Sequence, residues 1–301
     1  MLLLLVVVSC GGGKRSPAPD RARTEHLFTL PELPSALKSV EEKTYYLAEH
    51  FWDNLTIADT SCLGTKPGYI EHYFLEYIDC LTCVDERSAA AFVKNFLCDG
   101  KVGRLWMRYF LKLADDHLYN VESPVVNEAL YLPFAESAVL SSQLSDRELS
   151  RYMYRIEVAR KNNPGNKAAD FAFVDADGRG GSLYGVNAEL LLVVFYDPEC
   201  VHCNEVLNVL KASETIGKLC EKGGLVPMLV YTEGNREVWD KYRKDAPKGW
   251  MNCFDSSESV RTGRLYELRA MPSMYLLDGD KNVILKDVLP DKLLAHLAGL
   301  R

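Results

Sequence analysis

The sequence contains no block of like charge and only nine cysteines in 301 residues. Its 35 basic and 42 acidic side chains give a formal net charge of -7. The chain has no run of basic residues that could bind along a phosphate backbone, so nucleic acid is not an expected partner. The cysteines are too sparse for a disulfide-stapled miniprotein. No Gly-rich phosphate loop is present, and no nucleotide, flavin or metal cofactor is expected.

The composition leaves room for two domains, because 48% of the residues are hydrophobic and 26% are charged. The amino terminus is apolar over residues 1–9, which is far shorter than the roughly 18 to 20 residues that span a bilayer. Small and β-branched residues directly before Cys10 resemble the bacterial lipobox. This resemblance implies a signal peptide over residues 1–9 and a lipid on Cys10. The alternative is an apolar terminus with an ordinary cysteine.

The lipobox resemblance also implies a location. An acylated Cys10 holds a protein on a membrane, because each buried methylene contributes about 0.8 kcal/mol. Gly11 follows Cys10 in place of the aspartate that retains some lipoproteins at the inner membrane. We therefore expect a lipid-anchored protein in the cell envelope of a Gram-negative bacterium, on the outer membrane and facing the periplasm.

Two segments of different character follow. Residues 10–33 are rich in Gly, Pro, Ser and Arg and predict a flexible tether. Residues 34–163 repeat apolar side chains with helical spacing and predict a helical bundle. Its last helix is expected to begin at Ser145, where Glu148 three residues later forms a capping box.

Four cysteines fall in the predicted bundle, namely Cys62, Cys80, Cys83 and Cys98. Cys80 and Cys83 are spaced as CxxC, so within a helix they share one face. Three interpretations stay open for these thiols: buried apolar side chains, a disulfide, or a second functional dithiol or metal site.

The carboxy-terminal half carries a stronger motif. The run of six apolar residues at 190–195 predicts a strand buried on both faces. Cys200-Val-His-Cys203 follows directly, and helical spacing begins after it. Cys200 is thus expected at a helix amino terminus, where unpaired amides and the helix dipole stabilise a thiolate. His202 between the cysteines favours the thiolate further, which predicts a relatively oxidising pair.

Residues 168–301 show the order β-α-β-α-β-β-α and resemble a thioredoxin-fold domain, closest to the exported TlpA/ResA-like thiol:disulfide oxidoreductases. The expected fold class is a two-domain α+β chain, in which an all-α bundle precedes an α/β thioredoxin fold with a central mixed sheet. The whole chain resembles a group of Gram-negative lipoproteins with an amino-terminal helical domain of unknown function.

The resemblance implies roles for the site residues. Cys200 is the attacking, more exposed thiol and Cys203 the resolving, more buried one. Pro272 is cis and packs beside the two cysteines, and the Met271 backbone pairs with an extended substrate. Glu199 stands where the family usually has an aromatic residue, and a carboxylate close to Cys200 would oppose the thiolate.

The expected function is thiol:disulfide exchange with protein disulfides or dithiols, together with a redox partner in the cell envelope. Two alternatives stay open. Cys200, His202 and Cys203 offer soft ligands that suit a copper metallochaperone, and the domain could be a redox-inactive interaction module. A zinc site is less compatible with the spacing, because the other CxxC lies more than a hundred residues upstream.

Overall fold

The computed structural model describes residues 27–57, 60, 67–141 and 143–300. The predicted signal peptide over residues 1–9, the predicted lipidation residue Cys10, most of the predicted tether, and Cys62 lie outside the described residues. None of the helices in the described part combines the length and the apolar character needed to cross a bilayer.

Helices come first along the chain and a mixed sheet follows, which confirms the predicted fold class. The helices before the sheet are α1 (Val40–His50), α2 (Pro67–Thr82), α3 (Glu86–Cys98), α4 (Arg104–Ala114), α5 (Glu128–Leu140) and α6 (Asp146–Ala159). A π-helical turn at Asp115–Tyr119 precedes α5. The chain divides into two compact units between Leu113 and Ala114.

The first unit has an aromatic core. Phe28 is buried, and its ring lies 5.7 Å from the ring of Phe51 and 4.7 Å from that of Tyr73. Trp52 is also buried and contacts the Phe110 ring edge-on at 4.9 Å. Phe28 belongs to the segment that the sequence assigned to the tether over residues 10–33. That prediction needs correction at its end, because the apolar pair Leu27–Phe28 already packs into the core.

The second unit begins with two helices and includes the sheet. Helix α6 starts as predicted, since the Ser145 backbone N–H donates to Glu148 Oε2 at 2.9 Å. Lys286, near the end of the chain, donates from Nζ to Glu128 Oε1 at 2.8 Å and to the Ala159 carbonyl at 2.8 Å. Helices α5 and α6, which the sequence placed in the domain 34–163, therefore lie in the same compact unit as the sheet.

The sheet has seven strands in the order β2-β1-β5-β4-β3-β6-β7. Their bounds are β1 (Ala172–Asp175), β2 (Gly180–Ser182), β3 (Leu190–Tyr196), β4 (Leu225–Tyr231), β5 (Met251–Phe254), β6 (Ser273–Asp278) and β7 (Val283–Leu285). Strands β3, β4 and β5 are parallel, and β6 runs antiparallel to β3. The helices of this region are α7 (Val201–Ala212), α8 (Glu214–Glu221), α9 (Arg236–Tyr242), α10 (Ser259–Thr262) and α11 (Pro290–Gly299).

Strand β3 is the centre of the fold. Its alternate side chains enter two different cores: Leu192 and Val194 pack with residues of α7 and α11, whereas Val193 and Phe195 pack on the opposite face. Because both faces of β3 are covered, its sequence is an uninterrupted apolar run, as expected for parallel strands. This burial fixes the position at which β3 ends, and the CxxC motif begins four residues later.

Candidate active site

Cys200 is the amino-terminal capping residue of α7. Its backbone is extended (φ -78°, ψ 121°), and the Cys203 backbone N–H donates to its Sγ at 3.4 Å. The first amides of a helix have no partner within the helix, and the dipole places partial positive charge at the same end. A sulfur in this position is stabilised when it carries negative charge.

The turn between β3 and α7 is held by hydrogen bonds. The Asp197 carbonyl accepts from the Cys200 N–H at 3.1 Å, and Asp197 Oδ1 accepts from the Glu199 N–H at 2.9 Å. Asn204 Nδ2 donates to the Pro198 carbonyl at 2.9 Å. These bonds hold the turn on both sides of Cys200. Sequence reasoning missed Asn204, although an amide on the first turn of a helix is a recognisable signal.

The two thiols of the motif differ in environment. Cys200 is half-buried, and Cys203 is fully buried. Burial raises the pKa of the Cys203 thiol to about 12, although a backbone hydrogen bond from Asp197 opposes this rise. Both residues are thiols in the structure. The pair therefore offers one accessible sulfur and one protected sulfur, three residues apart on a single helical turn.

The charged neighbours that the sequence singled out lie at the surface. Glu199 pairs with Lys241 at 3.8 Å, and both side chains are more than half exposed. The imidazole of His202 lies 3.6 Å from the Glu205 carboxylate and is also exposed. Glu199 and His202 thus each lie beside a charged side chain in solvent, and solvent screens their electric fields. Their influence on Cys200 stays a prediction.

The Met271–Pro272 peptide bond is cis. The residue after it, Ser273, is paired with Phe195 in the antiparallel register of β6 and β3. Strand β6 therefore begins at the end of the sheet where β3 ends. The chain after β3 leads to Cys200. Met271 also packs against the core cluster that contains Cys203. The sheet register thus brings together the proline and the CxxC motif.

A buried ionic network supports the segment before Pro272. Arg269 donates from Nε to Asp287 Oδ2 at 3.0 Å and from Nη1 to the Tyr119 carbonyl at 3.0 Å. The other oxygen of Asp287 accepts from the Ser273 hydroxyl at 2.8 Å. Burial raises the pKa of Glu267, whose carboxylate accepts from the Tyr119 hydroxyl. Sequence reasoning missed this network, since its members are scattered and carry no spacing signal.

The remaining cysteines of the second unit lie apart from the pair. Cys220 is half-buried in α8, and Cys253 is buried in β5. Within the described ranges, no group of three or more His, Cys, Asp or Glu side chains could hold a metal ion.

Comparisons with other proteins match most of the chain. The family model named Domain of unknown function (DUF5106) matches residues 9–162. A thioredoxin-like protein from Bacteroides caccae, solved by crystallography, is 32% identical with a TM-score of 0.81 and covers 91% of this chain and 99% of that one. No curated protein matches the chain.

Other solved structures match a little less than half of the chain. The C-terminal domain of an uncharacterized protein from Bacteroides fragilis is 36% identical, with a TM-score of 0.44 over 46% of this chain and 98% of that one. A domain of a possible thiol-disulfide isomerase from Cytophaga hutchinsonii is 26% identical, with a TM-score of 0.39 over 46% and 93%.

Proposed function

Because this chain belongs to the DUF5106 family and shares nearly its whole length with a thioredoxin-like protein, we propose that it is a thiol:disulfide oxidoreductase acting through Cys200 and Cys203. The observation that carries the proposal is the placement of Cys200 at the start of α7. Its Sγ accepts from the Cys203 N–H there, at the sheet edge that also holds the cis Pro272. The substrates of the proposed oxidoreductase are protein disulfides or dithiols.

The exchange proceeds in two displacements. The Cys200 thiolate attacks one sulfur of a substrate disulfide, forms a mixed disulfide, and releases the other substrate sulfur as a thiolate that takes up a proton. Cys203 then loses its proton and attacks the Cys200 sulfur, which releases the second substrate thiol. The enzyme pair is oxidised by two electrons and the substrate disulfide is reduced. The reverse sequence oxidises a substrate dithiol.

The burial of Cys203 supports this division of roles. Its high pKa keeps it protonated at neutral pH, so it does not compete with Cys200 for the incoming disulfide. Once the mixed disulfide has formed, Cys203 is the thiol held closest to the Cys200 sulfur. In this proposal a substrate strand pairs with the backbone of Met271, beside the cis proline.

The test uses the full chain and a glutathionylated peptide as substrate. Cys200→Ser should abolish exchange, and Cys203→Ser should accumulate a mixed disulfide on Cys200 that mass spectrometry identifies. Cys220→Ser, a change at a half-buried thiol of α8 outside the pair, is the matched control and should retain exchange. Equal activity in the Cys200→Ser and Cys203→Ser variants would rule out the assigned roles.

We also propose that a lipid on Cys10 anchors the protein to the periplasmic face of the outer membrane. The lipobox-like residues before Cys10 support this proposal. A lipid anchor would keep the dithiol in the cell envelope, where disulfides form and persist in substrate proteins.

A further inference from the structure

The second CxxC motif of the chain lies at the carboxyl end of a helix, whereas Cys200 lies at an amino-terminal end. Cys80 is in the last turn of α2, and Cys83 is the first residue after this helix, which ends at Thr82. The Cys83 backbone N–H donates to the Cys80 carbonyl at 3.1 Å, so the chain still follows a helical turn between them. Cys80 is half-buried and Cys83 is exposed.

This spacing places the two sulfur atoms within reach of each other. Residues three apart on a helix have Cβ atoms about 5–6 Å apart, and a disulfide joins Cβ atoms about 3.5–4.5 Å apart. Closing the bond therefore requires a shift of about 1–2 Å. Cys83 can supply this shift because it lies outside both helices. Helix α2 ends at Thr82, and the capping residue of α3 is Asp85.

We propose that Cys80 and Cys83 form a second redox-active couple, and that this couple is more reducing than the Cys200–Cys203 couple. The comparison of the two couples rests on the proposed function of Cys200 and Cys203. The existence of the second couple does not depend on it.

The direction of the difference follows from the two helix ends. A dithiol is a weak reductant when its thiolate is stabilised, because that stabilisation favours the reduced form. Cys200 receives such stabilisation from the amides and the positive dipole end of α7. Cys83 follows the carboxyl end of α2, and the capping residue of the next helix is Asp85, so Cys83 lacks the stabilisation that Cys200 receives as a capping residue. The Cys80–Cys83 disulfide is therefore harder to reduce.

The more buried members of the two pairs, Cys80 and Cys203, do not distinguish the couples. Burial, and then the neighbouring Cys83 thiol and the carboxylates of Asp79 and Glu76, raise the pKa of Cys80 to about 12. The pKa of Cys203 is raised to about 12 as well. Because these two thiols are alike, the difference between the couples comes from their less buried thiols, Cys200 and Cys83, which occupy opposite helix ends.

The reaction of the second couple needs only a disulfide as oxidant. The Cys83 sulfur, which is exposed, attacks this disulfide as a thiolate, forms a mixed disulfide, and releases one thiol. Cys80 then loses its proton and attacks the Cys83 sulfur, which releases the second thiol. The two cysteines give up two electrons and two protons, and the disulfide becomes two thiols. The oxidised Cys200–Cys203 pair of another copy of this chain is an oxidant of this class.

The first experiment measures both couples in one sample of the full-length wild-type chain. The protein is equilibrated in glutathione buffers of graded redox ratio, quenched with acid and alkylated, and mass spectrometry reads the state of each cysteine. The glutathione equilibrium constants of the two pairs should differ by at least about tenfold, or about 30 mV for two electrons. The Cys80–Cys83 pair should form its disulfide under the more reducing conditions. Cys83→Ser, a change at an exposed residue, should leave Cys80 unpaired.

The possible results separate the two proposals. A Cys80–Cys83 pair that stays reduced in excess oxidised glutathione, or either residue joined to Cys62 or Cys98 instead, would overturn this inference alone. So would a Cys80–Cys83 couple that is equally or more oxidising than Cys200–Cys203. A Cys80–Cys83 couple that titrates while Cys200–Cys203 never oxidises would support the second couple and overturn the proposed function alone.

The second experiment follows electron transfer between two molecules. Reduced Cys200→Ser/Cys203→Ser protein is mixed with oxidised Cys80→Ser/Cys83→Ser protein. The Cys80–Cys83 dithiol should become a disulfide as Cys200–Cys203 becomes a dithiol. At equal concentrations the reverse mixture, oxidised Cys80–Cys83 with reduced Cys200–Cys203, should show at most about a third of this conversion at equilibrium, from the tenfold ratio above. Equal conversion in both directions would contradict the proposed order.

Discussion

At the scale of single residues, Cys200 and Cys203 differ in burial. Cys203 is fully buried with a pKa raised to about 12, and Cys200 is half-buried at a helix amino terminus. For the reduced protein at neutral pH we expect iodoacetamide to label Cys200 and leave Cys203 unmodified. Labelling of Cys203 should rise only as the pH approaches the pKa of about 12, because the thiolate is the reacting species.

Mass spectrometry of each cysteine after timed alkylation measures these rates. Cys220 is a suitable internal reference, because it is a half-buried thiol whose pKa is also raised by burial, without a partner cysteine nearby in the sequence. Cys200 should react faster than Cys220. Equal labelling of Cys200 and Cys203 at neutral pH would contradict the assigned order of attack and resolution.

At the scale of elements, Arg269 joins three parts of the second unit. Its guanidinium contacts the end of the π-helical turn at the Tyr119 carbonyl, and Asp287 after β7. Asp287 in turn accepts from Ser273 at the start of β6. The side chains of Arg269 and Asp287 are only 10% and 8% exposed. This bridge therefore supports the segment that leads to the cis proline before β6.

Removing one partner of such a buried pair leaves an uncompensated charge. We expect Arg269→Ala to lower the free energy of unfolding by about 3–5 kcal/mol, as measured by denaturant unfolding. The control is Arg179→Ala, whose side chain is 75% exposed and pairs with Asp175 and Asp177. That change should cost about 0–1 kcal/mol, since solvent screens the exposed pair. Similar losses in the two variants would show that Arg269 is not a structural bridge.

Elements differed in how well the sequence predicted them. Strand β3 and helix α7 were evident, because a doubly buried strand is apolar throughout and a capped helix follows it. Helix α5 was not predicted. It contains Pro133 and buries residues around much of its circumference, so it lacks the amphipathic spacing that marks a surface helix. Its buried residues are Leu130, Tyr131, Pro133, Phe134, Ala135, Ser137 and Ala138.

At the scale of the whole molecule, the proposed anchor decides where the dithiol can act. We expect the wild-type protein to fractionate with membranes and to require detergent for extraction. Cys10→Ser should release it into the soluble fraction, because the residue that would carry the lipid is lost. The variant should retain disulfide exchange, since Cys200 and Cys203 are unchanged. Cys220→Ser should remain in the membrane fraction, and a membrane-bound Cys10→Ser protein would contradict the lipidation proposal.

The sequence by itself determined the chemistry of the site. A buried strand, a short turn and two cysteines on the first turn of a helix follow from local apolar content and spacing, which act over neighbouring residues. The asymmetry of the two thiols also followed from the family resemblance. These features depend on residues close together in the chain.

Only the tertiary structure decided what surrounds that site. The placement of Pro272 at the same end of the sheet as Cys200 depends on the register of β6 against β3. The Arg269–Asp287–Ser273 network depends on folding distant segments together. The grouping of α5 and α6 with the sheet is likewise set by contacts such as Lys286 with Glu128. Packing and burial between distant segments decide such contacts, and no local pattern in the sequence encodes them.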